Sequence, residues 1–283
     1  MKLSANEIRA AVKAALAEDI RSGDATTLAT VPARLTARAI MRAREPLVVA
    51  GTQFAEMAFR ELSRKIVVKK IVPDGLSAGP GDALLEISGP AGAILTAERV
   101  VLNFIQRLSG VATITAGFVK AVHGTRAQIL DTRKTTPGWR RFEKYAVACG
   151  GGTNHRIGLF DMVLIKDNHL AALRDEKPNA IAATISRARK KFPKLKIEVE
   201  ADTLTQVRQA LDAGAEMILL DNMSLKQLRQ AVKMTKDLAK TEASGGVNLR
   251  TVRAIAQTGV DFISVGALTH SARAVDIGLD FDS

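Results

Sequence analysis

The spacing of hydrophobic and polar positions changes near residue 110. The chain opens on a helical pattern in which Ser4 and Glu7 stand at capping-box spacing and Ile8, Val12, Ala15, Leu16 and Ile20 share one face. Residues 35–43 then alternate, with Leu35, Ala37, Ala39, Met41 and Ala43 set against Thr36, Arg38, Ile40 and Arg42, which is the period of a half-buried strand. Shorter strands are expected at 47–49, 66–72 and 83–87, punctuated by Pro73-Asp74-Gly75, Gly79-Pro80-Gly81 and Ser88-Gly89-Pro90, with one short helix from Phe54 to Leu62. A long helical pattern runs from Ala93 to Val122. Ser109-Gly110 is expected to break or kink it, and the domain boundary is placed there.

Beyond that point short apolar runs alternate with helices. Strands are expected at 127–131, 162–166, 195–200, 216–221, 241–243 and 261–265, with helices at 180–192, 204–213, 225–239 and 249–257. Such alternation implies parallel pairing through right-handed crossovers. Asp131 to Lys134, Lys166 to Asn168, Glu200, Asp221-Asn222, Ser244-Gly245-Gly246 and Gly266 all fall at the C-terminal ends of these strands. In an open doubly wound sheet only the strands at the switch point converge on a ligand, whereas in a barrel every strand end can. The expected fold is therefore α/β with an incomplete barrel of about six strands. Its last two strand ends carry the glycines that suit a phosphate.

Composition narrows the ligand. The chain has 283 residues, enough for two domains, and 41 Lys+Arg against 29 Asp+Glu give it a formal charge of +12, which draws anions. Aromatic residues make up only 4%, too few to stack single-stranded bases, and no nucleic-acid motif is present. The lone Cys149 cannot form an intrachain disulfide, no apolar run approaches 18 residues, and the N-terminus lacks a signal-peptide core, so a soluble cytoplasmic protein away from membranes is expected. His123, His155, His169 and His270 have no zinc-ligand spacing.

The densest polar stretch is Asp131 to His169. Its runs DTRKTTPG, GGGTNHRIGL and LIKDNH, in this order and spacing, resemble those of the quinolinate phosphoribosyltransferase family. The resemblance extends over Ala97-Glu98-Arg99, Glu198-Val199-Glu200, Leu219-Leu220-Asp221-Asn222, Glu242-Ala243-Ser244-Gly245-Gly246 and Ser264-Val265-Gly266, covering most of residues 95–275. It implies an N-terminal open-faced α/β sandwich domain, here residues 1–112 with 272–283 a candidate to complete it, followed by the barrel at 113–271. It also implies conversion of quinolinate and phosphoribosyl pyrophosphate to nicotinate mononucleotide, pyrophosphate and carbon dioxide in NAD biosynthesis, with Mg2+.

Site roles follow from the same resemblance. Arg133, His155, Arg156 and Lys166 are expected to hold the quinolinate dianion, joined by Arg99 from a neighbouring subunit, so that a homodimer or higher oligomer shares its active sites. Lys134 is expected at the pyrophosphate, with Lys166 between the two substrates. Glu200 and Asp221 are expected at the ribose hydroxyls and at the metal, directly or through water or phosphoribosyl pyrophosphate. Ser244, Gly245 and Gly266 would take the 5'-phosphate. Lys134, Lys166, Glu200 and Asp221 make up the expected catalytic set. Other readings compete: His155 as a structural hydrogen-bonder orienting Arg156, Lys166 as a Schiff-base lysine of an aldolase-like enzyme, and a basic surface for nucleic acid.

Overall fold

The computed structural model describes residues 1–281, which form two compact units. The first gathers Met1–Ala116, Thr136–Gly151 and the segment from Ser271 onward, and the second holds Gly117–Thr135 and Gly152–His270.

In the first unit the strands are β1 (Thr36–Ala43), β2 (Leu47–Val48), β3 (Val67–Lys70), β4 (Ser77–Ala78) and β5 (Ala83–Pro90), with a C-terminal strand Ile277–Phe281. The main sheet is antiparallel in the order Ile277–Phe281, β1, β5, β3. Along β1 Ala39, Met41 and Ala43 are buried and the residues between them are not, so the period-two pattern becomes one covered face. The first helix, Ala5–Ile20, starts from the capping box: Ser4 Oγ accepts the Glu7 N–H at 3.2 Å and the Glu7 carboxylate accepts the Ser4 N–H at 2.9 Å.

Two features differ from the sequence reading. The helix expected to break at Ser109-Gly110 runs without interruption from Ala91 to Val122. Gly110 is there for a close approach: a Cβ at this position would overlap the backbone carbonyl oxygen of Arg273. The first unit takes in the C-terminal segment from Ser271, as the candidate completion by 272–283 has it, but it also takes in Thr136–Gly151 from the stretch expected in the barrel. Periodicity leaves this stretch unassigned, yet it carries the helix Arg140–Cys149. Trp139 stacks on Phe104 with centroids 5.0 Å apart, Phe104 stacks on Phe54 at 4.9 Å, and Phe142 meets Phe54 edge-on at 5.0 Å. The fully buried Glu143 accepts hydrogen bonds from Arg107 Nη2 at 2.7 Å and from the Thr136 N–H at 3.0 Å.

In the second unit the strands are β6 (Gln128–Leu130), β7 (Val163–Ile165), β8 (Ile197–Ala201), β9 (Met217–Asp221), β10 (Lys240–Ser244) and β11 (Phe262–Ser264). All pairings are parallel, in the order β6, β11, β10, β9, β8, β7. The last strand returns to the first, as in a barrel, while β6 and β7 do not pair. Beside the opening, Thr153 makes an isolated parallel bridge with Leu130. The crossover helices begin on side-chain caps at Asn179, Thr203 and Ser224, and they bury Ile181 and Ile185, Val207 and Ala210, and Leu228 and Ala231. Two are shorter than their patterns. Leu225–Thr235 ends before Asp237, which adopts a left-handed φ of 61°, and Val252–Ala256 starts late because the Asn248 carboxamide accepts the N–H groups of Arg250 and Thr251. Among the described residues no helix is long and apolar enough to cross a membrane.

Gly110→Ala separates two explanations of the glycine. Helix propensity alone predicts a gain of about 1 kcal/mol, whereas the clash with the Arg273 carbonyl predicts a loss of about 1–3 kcal/mol. The expected outcome is a lower melting temperature, measured by calorimetry.

Candidate active site

Side chains two residues apart on a strand face the same way. The residues at or just past the strand ends, Lys166, Glu200, Asp221, Ser244 and Gly266, are therefore underlain by Leu164, Glu198, Leu219, Glu242 and Ser264. Together with Thr132, Arg133 and Lys134 after β6 and His155-Arg156 after Thr153, these residues line one cleft of about 880 Å3, except Glu198, which is sealed beneath it. Arg99 lies on the exposed face of helix Ala91–Val122 in the first unit and is not among the lining residues.

The cleft is organised by His155. Fully buried Asp131, at the end of β6, accepts the His155 N–H at 2.8 Å and the Asn154 carboxamide at 2.7 Å, which anchors this loop. The ring Nδ1 accepts the Arg156 N–H at 2.7 Å. On its other side Nε2 stands 3.0 Å from Glu198 of β8 and 3.3 Å from Glu242 of β10, and Glu242 in turn accepts the Ser264 hydroxyl of β11. Burial and the adjacent Glu242 raise the Glu198 carboxyl, while burial lowers the His155 imidazole less than its hydrogen bonds to Glu198 and Glu242 raise it. Both directions favour a proton held within the cluster of the ring and the two acids. Both ring nitrogens are used inside the unit. This geometry favours the reading of His155 as the residue that orients Arg156 over direct donation to a ligand.

Two guanidinium groups reach the same side of the cleft. Burial and the neighbouring Arg133 charge lower the Arg156 guanidinium below its ordinary value, and Arg156 Nη1 donates to the Met162 carbonyl at 3.2 Å. The buried Nε of Arg133 has no hydrogen-bond partner. Two repelling cations, one with an unanswered donor, make a site that gains energy when a multiply charged anion enters.

The ends of β9, β10 and β11 bring backbone turns rather than long side chains to the cleft. Gly245 and Gly246 take φ values of 99° and 60°, and a Cβ on Gly245 would overlap the Asn222 carboxamide. Asn222, itself left-handed at φ 51°, donates to Asp221 at 2.6 Å. A Cβ on Gly266 would come within 3.2 Å of Lys134 Cδ, so the loop after β11 and Lys134 pack closely. Lys166 Nζ is 3.2 Å from Glu200, and its side chain is 48% exposed. A Schiff-base lysine calls for desolvation, which a half-exposed, ion-paired side chain lacks.

Sequence reasoning singled out neither Glu198 nor Glu242, and it left Asp131 without a role as a clamp. The usable signal was the alternation within β8 and β10, which puts Glu198 on the face of Glu200 and Glu242 on the face of Ser244.

A six-stranded parallel barrel open on one side, with paired guanidiniums, strand-end carboxylates and a glycine cradle, defines an α/β-barrel protein built to hold multiply charged anions. The chain belongs to the quinolinate phosphoribosyl transferase family: the family's C-terminal domain matches residues 111–280 and its N-terminal domain residues 24–109. It is 44% identical over 280 residues to the nicotinate-nucleotide pyrophosphorylase (carboxylating) of Mycobacterium leprae, covering 96% of each chain. A chloroplastic protein of the same name from Arabidopsis thaliana is 42% identical over 293 residues, covering 98% of this chain and 83% of that protein. The crystal structure of NadC from Streptococcus pyogenes superposes with a TM-score of 0.94 at 38% identity over 100% of both chains.

If the Arg133 guanidinium is held for a ligand at a cost to the empty protein, Arg133→Met raises the melting temperature of the ligand-free form, by about 1 kcal/mol or more of stability. A variant less stable than the parent would show that Arg133 has a structural partner.

Proposed function

We propose that the chain transfers the phosphoribosyl group of phosphoribosyl pyrophosphate to the ring nitrogen of quinolinate, releasing pyrophosphate and carbon dioxide and forming nicotinate mononucleotide for NAD biosynthesis. The observation that carries this reading is the pair Arg133 and Arg156, two partly buried cations that lower one another's stability and are answered by a ligand with two carboxylates. The names of the relatives point the same way.

The residues divide the work. Arg133 and Arg156 bind the quinolinate carboxylates, with His155 fixing Arg156. Lys166, held beside Glu200, stands between the two substrates, and Lys134 faces the pyrophosphate. Ser244, Gly245 and Gly266 take the 5'-phosphate on backbone N–H groups. As the bond from C1' of the ribose to the pyrophosphate oxygen breaks, the ring nitrogen's lone pair forms the new bond to C1'. The bond to the adjacent carboxylate then breaks as carbon dioxide leaves, its electron pair held by the pyridinium until a proton replaces it. No enzyme nucleophile is needed, and positioning of the two substrates supplies about 7 to 11 kcal/mol.

Glu200 and Asp221 end neighbouring strands on one face, oxygen donors of the kind Mg2+ takes through one or two carboxylates, waters and substrate phosphates. These two carboxylates would hold Mg2+ directly or through water, and the ion would supply charge neutralisation for the pyrophosphate leaving group. The same carboxylates are suited to the ribose hydroxyls. We further propose a homodimer in which Arg99 serves the partner's site, and a cytoplasmic location, consistent with the single Cys149.

Incubation with quinolinate and phosphoribosyl pyrophosphate should release pyrophosphate and carbon dioxide in a Mg2+-dependent manner. Nicotinate should be turned over far more slowly, because it leaves one buried guanidinium unanswered. Equal turnover of the two acids, followed by pyrophosphate release, would remove the dianion assignment. For the shared site, mixed dimers of Arg99→Ala and Lys166→Ala subunits should recover activity that neither variant has alone, and verified heterodimers with none would count against sharing.

A further inference from the structure

Glu198 and Glu242 occupy the layer below the strand ends, where β7 and β9 carry Leu164 and Leu219. Both are essentially inaccessible to solvent, Glu198 Oε1 has no hydrogen-bond partner, Glu242 Oε2 has only the His155 ring beside it, and the chemistry above uses neither. Two buried acids close together are a standing cost to the fold, and apolar residues of similar size are generally no worse for stability. What they do hold is the far side of one imidazole, at 3.0 and 3.3 Å from His155 Nε2, while the near side accepts the Arg156 N–H.

We propose that Glu198 and Glu242 are positioning residues for quinolinate: as acceptors beneath the cleft they fix the His155 ring, and through it the Arg156 backbone and guanidinium that receive a substrate carboxylate. The proposal rests on the quinolinate reading above. Asp131 holds the His155 N–H and the Asn154 carboxamide, and the Met162 carbonyl accepts from Arg156 Nη1, so the ring contacts act on a segment whose backbone is already anchored. Without an acceptor at Nε2 the ring is free to turn, and the Arg156 N–H loses its partner. The sign of the effect separates this role from plain electrostatics. Two carboxylates near a dianion oppose its binding through space, so if charge alone mattered their removal would tighten quinolinate binding. Positioning demands the reverse.

The test is steady-state kinetics on the intact enzyme, with KM measured separately for each substrate and melting temperatures taken in parallel. Glu198→Leu, which removes the acceptor at similar volume, should raise the quinolinate KM about tenfold or more. It should leave the KM for phosphoribosyl pyrophosphate unchanged and the melting temperature at or above that of the parent. Glu198→Gln, which keeps an oxygen facing Nε2, should restore near-parental behaviour. Glu242→Leu should follow with a smaller effect, its contact being the longer. In a His155→Ala background Glu198→Leu should add nothing. Tighter quinolinate binding in the Leu variant, identical behaviour of Leu and Gln, a full additional loss in the His155→Ala background, or equal rises in both KM values with a fallen melting temperature would each overturn the proposal. The parent enzyme is the control: if it does not use quinolinate, the underlying reading fails and takes this proposal with it, whereas a parent that does, beside an indifferent Glu198→Leu, sinks the proposal alone.

Discussion

The contact on which the cleft depends is the one between the His155 imidazole and the two acids beneath it. Four strands meet through it: β6 by way of Asp131 and the loop backbone, β8 by Glu198, β10 by Glu242, and β11 by Ser264 on Glu242. Backbone hydrogen bonds fix neighbouring strands to each other, but only side chains can tie strands across a barrel interior. An apolar core would do this without direction. A hydrogen-bonded ring does it with a defined orientation, and low dielectric strengthens each bond in the chain while making any broken one costly. The loop that carries Arg156 follows Thr153, whose single bridge to Leu130 is its one strand-like pairing beside the gap between β6 and β7.

That arrangement leaves the cleft charged and unsatisfied when nothing is bound. The Arg133 charge lowers Arg156, Arg133 Nε has no hydrogen-bond partner, and Glu198 Oε1 is likewise unanswered. Groups of this kind are normally paired in a stable protein. Among these unanswered groups only Arg133 belongs to the lining of the cleft as a donor, which an anion could answer, whereas Glu143 in the first unit is buried with several partners.

The sequence made the six parallel strands legible because each is a short apolar run between turn residues, and it made the strand-end layer legible because polar residues there interrupt apolar runs. It did not reveal the layer below. Glu198 and Glu242 sit inside their strands, where a charged residue reads as a solvent-facing position, and only the closure of the sheet turns that face inward. Gly110 was misread for a related reason. Propensity describes a helix by itself, and the carbonyl that requires a glycine comes from Arg273, far along the chain. The helix Arg140–Cys149 has an apolar face formed by Phe142, Ala146 and Val147, but it is short and flanked by Pro137-Gly138 and Gly150-Gly151-Gly152, which carry the stronger local signal for turns.

In the proposed assignment the guanidinium groups and the glycine turns recognise anions by different physics, and this bears on orientation. Guanidinium groups match the planar, two-oxygen shape of a carboxylate. The turns at Gly245 and Gly266 instead offer backbone room that a Cβ would fill, which suits the rounder phosphate and admits no side-chain substitute. In the proposed reaction each substrate is therefore drawn to its own side by shape as well as by charge. In that proposal Lys166, paired with Glu200 in the cleft, serves the point where the pyridine nitrogen and the ribose carbon meet. A cation at that point repels a positive charge developing on the ribose but attracts both the departing pyrophosphate and the carboxylate beside the ring nitrogen. Its pairing with Glu200 moderates the first effect without cancelling the second, since the carboxylate can turn toward ribose hydroxyls or metal as the substrates arrive.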